Sequence, residues 1–240
     1  MNNYKSINFD KKIPNNFNKL FSHNKIVINK IPNVCKAHSL LSLPKIKNKN
    51  ALNIFNKLKP SETQHSIILG GLLNPRGEHG QGDTFLQIFL LLFSIPLENN
   101  DSWFVTVEKE RFDIKISNKQ KTKIIIIENK SNWADDQKNQ LYRYWYYGIY
   151  LAQENIKTLG INCFQKIIYL SPNDYKEPEI QSKCRPHDFD KTLPERIPIP
   201  VDVIFFNKEI VKWLKICLAK IDEKSELYYY INQYMKFWSN

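Results

Sequence analysis

The sequence predicts an α/β fold, a mixed central β-sheet flanked by helices, and three observations carry that prediction. Phe112, Ile114 and Ile116 alternate with Arg111, Asp113 and Lys115, the period-two pattern of a strand with one face buried. After a polar turn, Lys123 to Lys130 carries four consecutive isoleucines, which suits a central strand buried on both faces. A helix-forming stretch then leads to a further apolar strand, Gln165 to Leu170 (QKIIYL). The strand–helix–strand order makes this pair parallel, whereas the hairpin before it is antiparallel.

Taken in order, residues 1–60 read as a basic N-terminal arm with one short helix near Asn15–Phe21. Residues 61–240 read as one domain ending in a helical elaboration. Lys45, Lys47, Lys49, Lys57 and Lys59 form a basic run suited to a phosphate backbone. Ser61 caps the helix ETQHSIILGGLL, with Glu62 in its first turn. Asn74-Pro75-Arg76-Gly77 ends that helix, and Asp83 or Thr84 starts a second, DTFLQIFLLLF, apolar on nearly every face and therefore buried. Gly77, Gly80 and Gly82 lack the following Gly-Lys-Ser/Thr of a phosphate-binding loop, which excludes one. Trp103 to Glu108 is the first strand, and the turn of the next hairpin is Ser117 to Lys121. Ser131 or Asn132 is expected to open a helix, with Asp135 and Asp136 at its positive end. Gln137, Gln140, Tyr144 and Tyr147 share one face of that helix. Beyond a proline-rich loop come a last strand at Val201 to Phe206, a helix at Glu209 to Ile221, and a final helix capped by Ser225.

The chain carries 35 Lys+Arg against 24 Asp+Glu, a net charge of +11, which favours a polyanionic partner, nucleic acid before membrane. An AT-rich coding sequence would also enrich Lys, Asn and Ile, so charge supports that partner without establishing it. No apolar run approaches the roughly 20 residues of a membrane span, and the first residues lack the apolar stretch of a signal peptide. Cys35, Cys163, Cys184 and Cys217 form no Cys-x-x-Cys pair, so the expectation is reduced thiols and a cytoplasmic location.

Glu128 and Lys130 stand two residues apart at the exit of the buried strand, hence on one face. A four-residue loop would set Asp113 opposite Ile126, and a six-residue loop directly opposite Glu128. Either register brings both carboxylates to one face, within roughly 5–8 Å. Two carboxylates that close repel unless one is protonated or a cation sits between them. Oxygen ligands so spaced suit Mg²⁺.

Asp113, then Glu128-Asn129-Lys130 at the end of a hydrophobic strand, then a helix bearing Gln140 and Tyr144, together resemble the PD-(D/E)XK nuclease superfamily. The Gln-x-x-x-Tyr spacing is similar to that of its RecB-like branches. Upstream, ETQHSIILGGLLNPRGEHGQGDTFLQIFL resembles the leading helices of a bacterial group in the superfamily. The pattern departs at the proline of the name, where Phe112 precedes the aspartate. The resemblance implies a restriction-endonuclease-like core and phosphodiester hydrolysis dependent on Mg²⁺ (or Mn²⁺), with DNA ahead of RNA as substrate. It implies that Asp113, Glu128 and the Asn129 carbonyl hold the cation, while Lys130 orients the attacking water and offsets developing charge. Gln140 is placed to hydrogen-bond a phosphate or a water, and Tyr144 to pack against sugar or base. Glu62 is either a fourth acidic ligand or a helix-capping carboxylate. The alternative is a nucleic-acid-binding module on the same fold without the chemistry.

Overall fold

The computed structural model describes residues 52–98 and 101–239. The helix expected near Asn15–Phe21 and Lys45, Lys47 and Lys49 lie outside them. Five strands form one sheet in chain order: β1 (Trp103–Lys109), β2 (Phe112–Asn118), β3 (Lys123–Asn129), β4 (Phe164–Ser171) and β5 (Val201–Phe205). The pairs β1–β2 and β2–β3 are antiparallel, while β3–β4 and β4–β5 are parallel, so the sheet is mixed. Before the sheet come α1 (Ile54–Leu58), α2 (Glu62–Leu73) and α3 (Thr84–Leu92). Between β3 and β4 run α4 (Gln140–Trp145), a π-helical turn (Tyr146–Tyr150) and α5 (Leu151–Thr158). After β5 come a second π turn (Phe206–Ile210), α6 (Val211–Leu218) and α7 (Glu226–Trp238).

The isoleucines of β3 are buried on both faces of the sheet. Ile125 and Ile127 join Ile114, Ile116, Ile168 and Leu170 in a core with residues of α2, α3, α6 and α7. There Trp213 donates its indole N–H to the Phe85 carbonyl at 2.9 Å, which ties α6 to α3. Ile124 and Ile126 face the other way, into a core with Ile167, Tyr169, Leu141, Trp145 and Ile149. Close approach on each face depends on a glycine. A Cβ on Gly70 would collide with Val107, and one on Gly148 would collide with Ile126 and come within 2.8 Å of Phe112. Both helical layers therefore lie nearer the sheet than any side chain would permit.

Local signals act as their chemistry dictates at the starts of α2 and α7. The Ser61 hydroxyl accepts from the Gln64 amide at 3.3 Å while the Gln64 side chain accepts from the Ser61 amide at 2.8 Å, a reciprocal cap on α2. The Ser225 hydroxyl accepts from the Tyr228 amide at 3.1 Å to start α7. Short α1 docks on α7, with Asn53 donating to the Gln233 carbonyl at 2.7 Å and Phe55 set edge-on against Tyr230 and Tyr234.

Three expectations need correction. The helix after β3 starts at Gln140, not at Ser131 or Asn132. The Ser131 amide is taken by the Asn129 side chain, Trp133 and Asn139 adopt left-handed backbone, and Asp136 is drawn away. Its carboxylate accepts from the Tyr169 hydroxyl at 2.8 Å and the Glu179 amide at 2.7 Å, so it anchors a loop and does not complement a helix terminus. The helix expected over Glu209 to Ile221 begins as the Phe206–Ile210 π turn and ends at Leu218. Finally, Phe112 leaves the alternation of β2 and packs with Tyr144 in the second core. It follows directly on Glu110 and Arg111, both left-handed, and lies outside the paired stretch of β2 and β3.

Candidate active site

The β2–β3 register runs from Ile114 opposite Ile127 to Ser117 opposite Ile124, leaving six residues between the last pair. Continued outward, this register sets Asp113 opposite Glu128. Beyond the paired stretch, the Asn129 amide donates to the Asp113 carboxylate at 2.7 Å, which fixes that side chain over the end of β3. Lys130 lies on the face of Glu128, and its ammonium contacts the Glu128 carboxylate at 2.7 Å. Gln140, the first residue of α4, accepts from Lys130 Nζ at 3.3 Å and donates to the Tyr144 hydroxyl at 3.2 Å. Asp113, Glu128, Lys130, Gln140 and Tyr144 thus form one connected group between the end of the central strand and the start of α4.

On the opposite face Asn129 secures α2. Its side-chain amide donates to the Glu62 carbonyl at 2.8 Å and the Ser66 hydroxyl at 3.0 Å. The Glu62 carboxylate accepts from the Asn132 amide at 3.3 Å. Among the described residues no three His, Cys, Asp or Glu side chains come together as a potential metal cluster, and Glu62 acts on the group through its charge, which raises the Lys130 ammonium pKa. His65, one turn along α2, is enclosed by Tyr234, Phe237 and Trp238 and bonds the Tyr234 hydroxyl at 2.9 Å. His79 bonds the Asn74 carbonyl at 2.9 Å and the Gln81 amide at 3.0 Å, a structural role in its loop.

Burial dominates the electrostatics. Glu128 is 1 % exposed and Lys130 4 %. Burial, then the Glu128 charge, raise the Asp113 carboxyl to about 8, against the opposing Asn129 amide bond. Burial also raises Glu128, although Lys130 pulls the other way. For Lys130, burial disfavours the charge, but Glu128, helped by Glu62 and Asp136, overrides it and raises the ammonium pKa. Burial pushes the Tyr144 hydroxyl upward too, and the two acids add to the rise. One oxygen of the pair, Glu128 Oε2, is buried and accepts no hydrogen bond. Such an oxygen beside a second buried carboxyl calls for a proton or a cation. The all-oxygen donors offered by these residues fit a hard divalent ion.

The group lies at the side of an open cleft of about 920 Å³, whose walls include Arg111, Asp113, Gln137, Gln140, Arg143 and Tyr147. Tyr144 does not present a stacking surface as expected. It is 6 % exposed and set edge-on to Phe112 at 5.2 Å, so its ring serves packing. The neighbouring Tyr147 is 54 % exposed on the same cleft. Arg111 and Arg143 were not singled out by sequence reasoning. Arg111 is two residues before Asp113 and Arg143 three after Gln140, so the signal was their spacing from site residues in a chain crowded with cations.

A family model described as PD-(D/E)XK nuclease superfamily matches residues 52–236. The chain belongs to that superfamily, and its mixed five-stranded sheet with flanking helices is the α/β, restriction-endonuclease-like fold. No curated protein and no solved structure matches it.

Proposed function

We propose that the protein is a nuclease that hydrolyses phosphodiester bonds with Mg²⁺ or Mn²⁺, acting on nucleic acid, DNA ahead of RNA, in the cytoplasm. The observation that carries this reading is the buried Asp113–Glu128–Lys130 group with Glu128 Oε2 left without a donor. Asp113, Glu128 and the Asn129 carbonyl would hold the cation. When bound, it supplies polarisation of the scissile phosphate and a lower pKa for the attacking water.

The residues do the rest. Asn129, whose backbone N–H donates to Asp113, holds that carboxylate over the strand end. Lys130 orients the water that attacks phosphorus while the bond to the leaving sugar oxygen breaks. Its charge offsets the negative charge that accumulates on the phosphoryl oxygens. Gln140 limits the swing of Lys130, and Tyr144 limits that of Gln140. Glu62 acts from the end of α2, through its field on Lys130 and its bond to the Asn132 amide.

Support for a nucleic-acid substrate comes from family membership and the net charge of +11. The described thiols Cys163, Cys184 and Cys217 are free, and no described helix is long and apolar enough to cross a membrane. The test is cleavage of linear and circular duplex DNA, single-stranded DNA and structured RNA with Mg²⁺ or Mn²⁺, with EDTA as control. Cleavage stopped by EDTA and by Lys130→Ala is expected. If no polynucleotide is cut with any divalent cation, and wild type and Lys130→Ala bind alike, the chain is a binding module on a nuclease fold.

A further inference from the structure

We infer that the cleft beside Asp113 binds an unpaired polynucleotide strand, with Tyr147 as a stacking platform and Arg111 and Arg143 as clamps on neighbouring phosphates. This rests on the nuclease reading and adds to it the form of the substrate. Access is the first argument. Glu128 and Lys130 are 1 % and 4 % exposed, whereas Asp113, Gln140 and Tyr144 of the same group line the cleft, so the cleft is where a phosphate would approach them. At about 920 Å³ the cleft is within the roughly 300–1,000 Å³ of sites that enclose a small molecule. It has room for a short run of nucleotides, and bases still paired and stacked in a duplex would not present a free face to its walls.

The second argument is what the walls offer. Tyr147 is half exposed, and Tyr146 and Phe189 brace its ring edge-on at 5.0 and 5.8 Å. The π turn that carries it lies directly on the sheet because Gly148 has no Cβ to hold it away. A rigid, exposed aromatic ring can take a base only when that base has left its stack, because in a duplex both faces are covered by neighbours. The third argument is charge. Arg111 and Arg143 are exposed on the same cleft and enter no ion pair among the described residues. Glu110, also on the wall, is held by Lys115 at 3.2 Å. Two uncommitted guanidinium groups flanking a buried acid pair suit the phosphates on either side of the scissile one.

The test is binding in EDTA, where no cleavage interferes, read by anisotropy of a short fluorescein-labelled DNA strand, its RNA counterpart and a blunt duplex. Wild type should prefer a single strand to the duplex. Tyr147→Ala should weaken single-strand binding by about 5- to 150-fold, Tyr147→Phe should retain it, and duplex binding should change by less than about twofold. The DNA and RNA arms show which sugar the cleft accepts. Unchanged melting temperatures would confirm that both variants fold. Equal losses on strand and duplex, equal losses for Ala and Phe, or no preference for a single strand would overturn the inference. If strand binding behaves as stated but nothing is cut with Mg²⁺ or Mn²⁺, the strand site stands and the nuclease reading falls. If duplex is cut as well as single strand and Tyr147→Ala has no effect, the reverse holds.

Discussion

Stripped of divalent cations, the protein should lose stability as pH rises from 6.5 to 8, and Asp113→Asn should reduce that loss. In the folded state Asp113 holds its proton up to about 8, against 3.8 in an ordinary environment. Its contribution to stability is therefore complete below the lower value and lost as pH rises through the higher. His65 has the opposite sign. Burial lowers it from 6.5 to about 4, so folding excludes a proton that the unfolded chain accepts, and stability is lost as pH falls between those values. Between pH 4 and 6.5 the two slopes oppose and largely cancel. Above pH 6.5 the opposing His65 slope is gone and the Asp113 slope remains, with Glu128 adding in the same direction. One linked proton is worth about 1 to 1.5 kcal/mol per pH unit, hence roughly 2 kcal/mol across this span. For a domain of this size that is about 4–8 °C in melting temperature. The assay is thermal unfolding in EDTA at a series of pH values for wild type and Asp113→Asn. Adding Mg²⁺ should stabilise wild type more at pH 8 than at 6.5, because cation and proton compete for the same oxygens. A flat wild-type profile above pH 6.5, or an equal slope in Asp113→Asn, would refute the argument.

Other substitutions probe separate parts of the structure. Lys130→Ala should lower the cleavage rate by about 100-fold or more while binding of a labelled polynucleotide stays nearly unchanged, since one cation contributes little to a diffuse footprint. Gly148→Ala should cost about 1–3 kcal/mol in urea unfolding, because its methyl must displace Ile126 and Phe112. Asn129→Ala removes two buried hydrogen bonds, to Ser66 and Ser131, and a half-buried one to Glu62, and should cost about 2–4 kcal/mol in the same measurement. An Asn129→Ala protein as stable as wild type would mean that α2 is seated by apolar packing alone.

Much of the sheet could be read from residue spacing because it depends on strict period-two geometry. Ile114 and Ile116, the four isoleucines of β3 and the parity of the hairpin together predict that Asp113 and Glu128 share a face, and the turn has the even length, six residues, that this parity needs. What stayed illegible depends on partners distant in the chain. Asp136 looks like a helix-terminal acid until Tyr169 and Glu179 are known to lie beside it. The Tyr146–Tyr150 π turn has no sequence period of its own, yet it carries Tyr147 to an exposed position on the cleft whose wall also holds the buried Tyr144. Phe112 obeys alternation on paper, but the left-handed pair before it frees its ring to cross to the other core.

The order of the strands in the sheet matches their order in the chain, and this bears on how the acid pair comes into being. Each strand can pair with the one formed just before it, so the sheet can grow by accretion without waiting for a distant segment. The hairpin that joins Asp113 to Glu128 is closed by a short loop and belongs to the microsecond class of events. At that stage the two carboxylates meet in water, where their repulsion is weak and a proton is readily exchanged. The repulsion grows only when the helices later close over the strand ends and expel solvent. The steepest electrostatic cost of the site therefore falls late in folding, when enough of the core has formed to bear it.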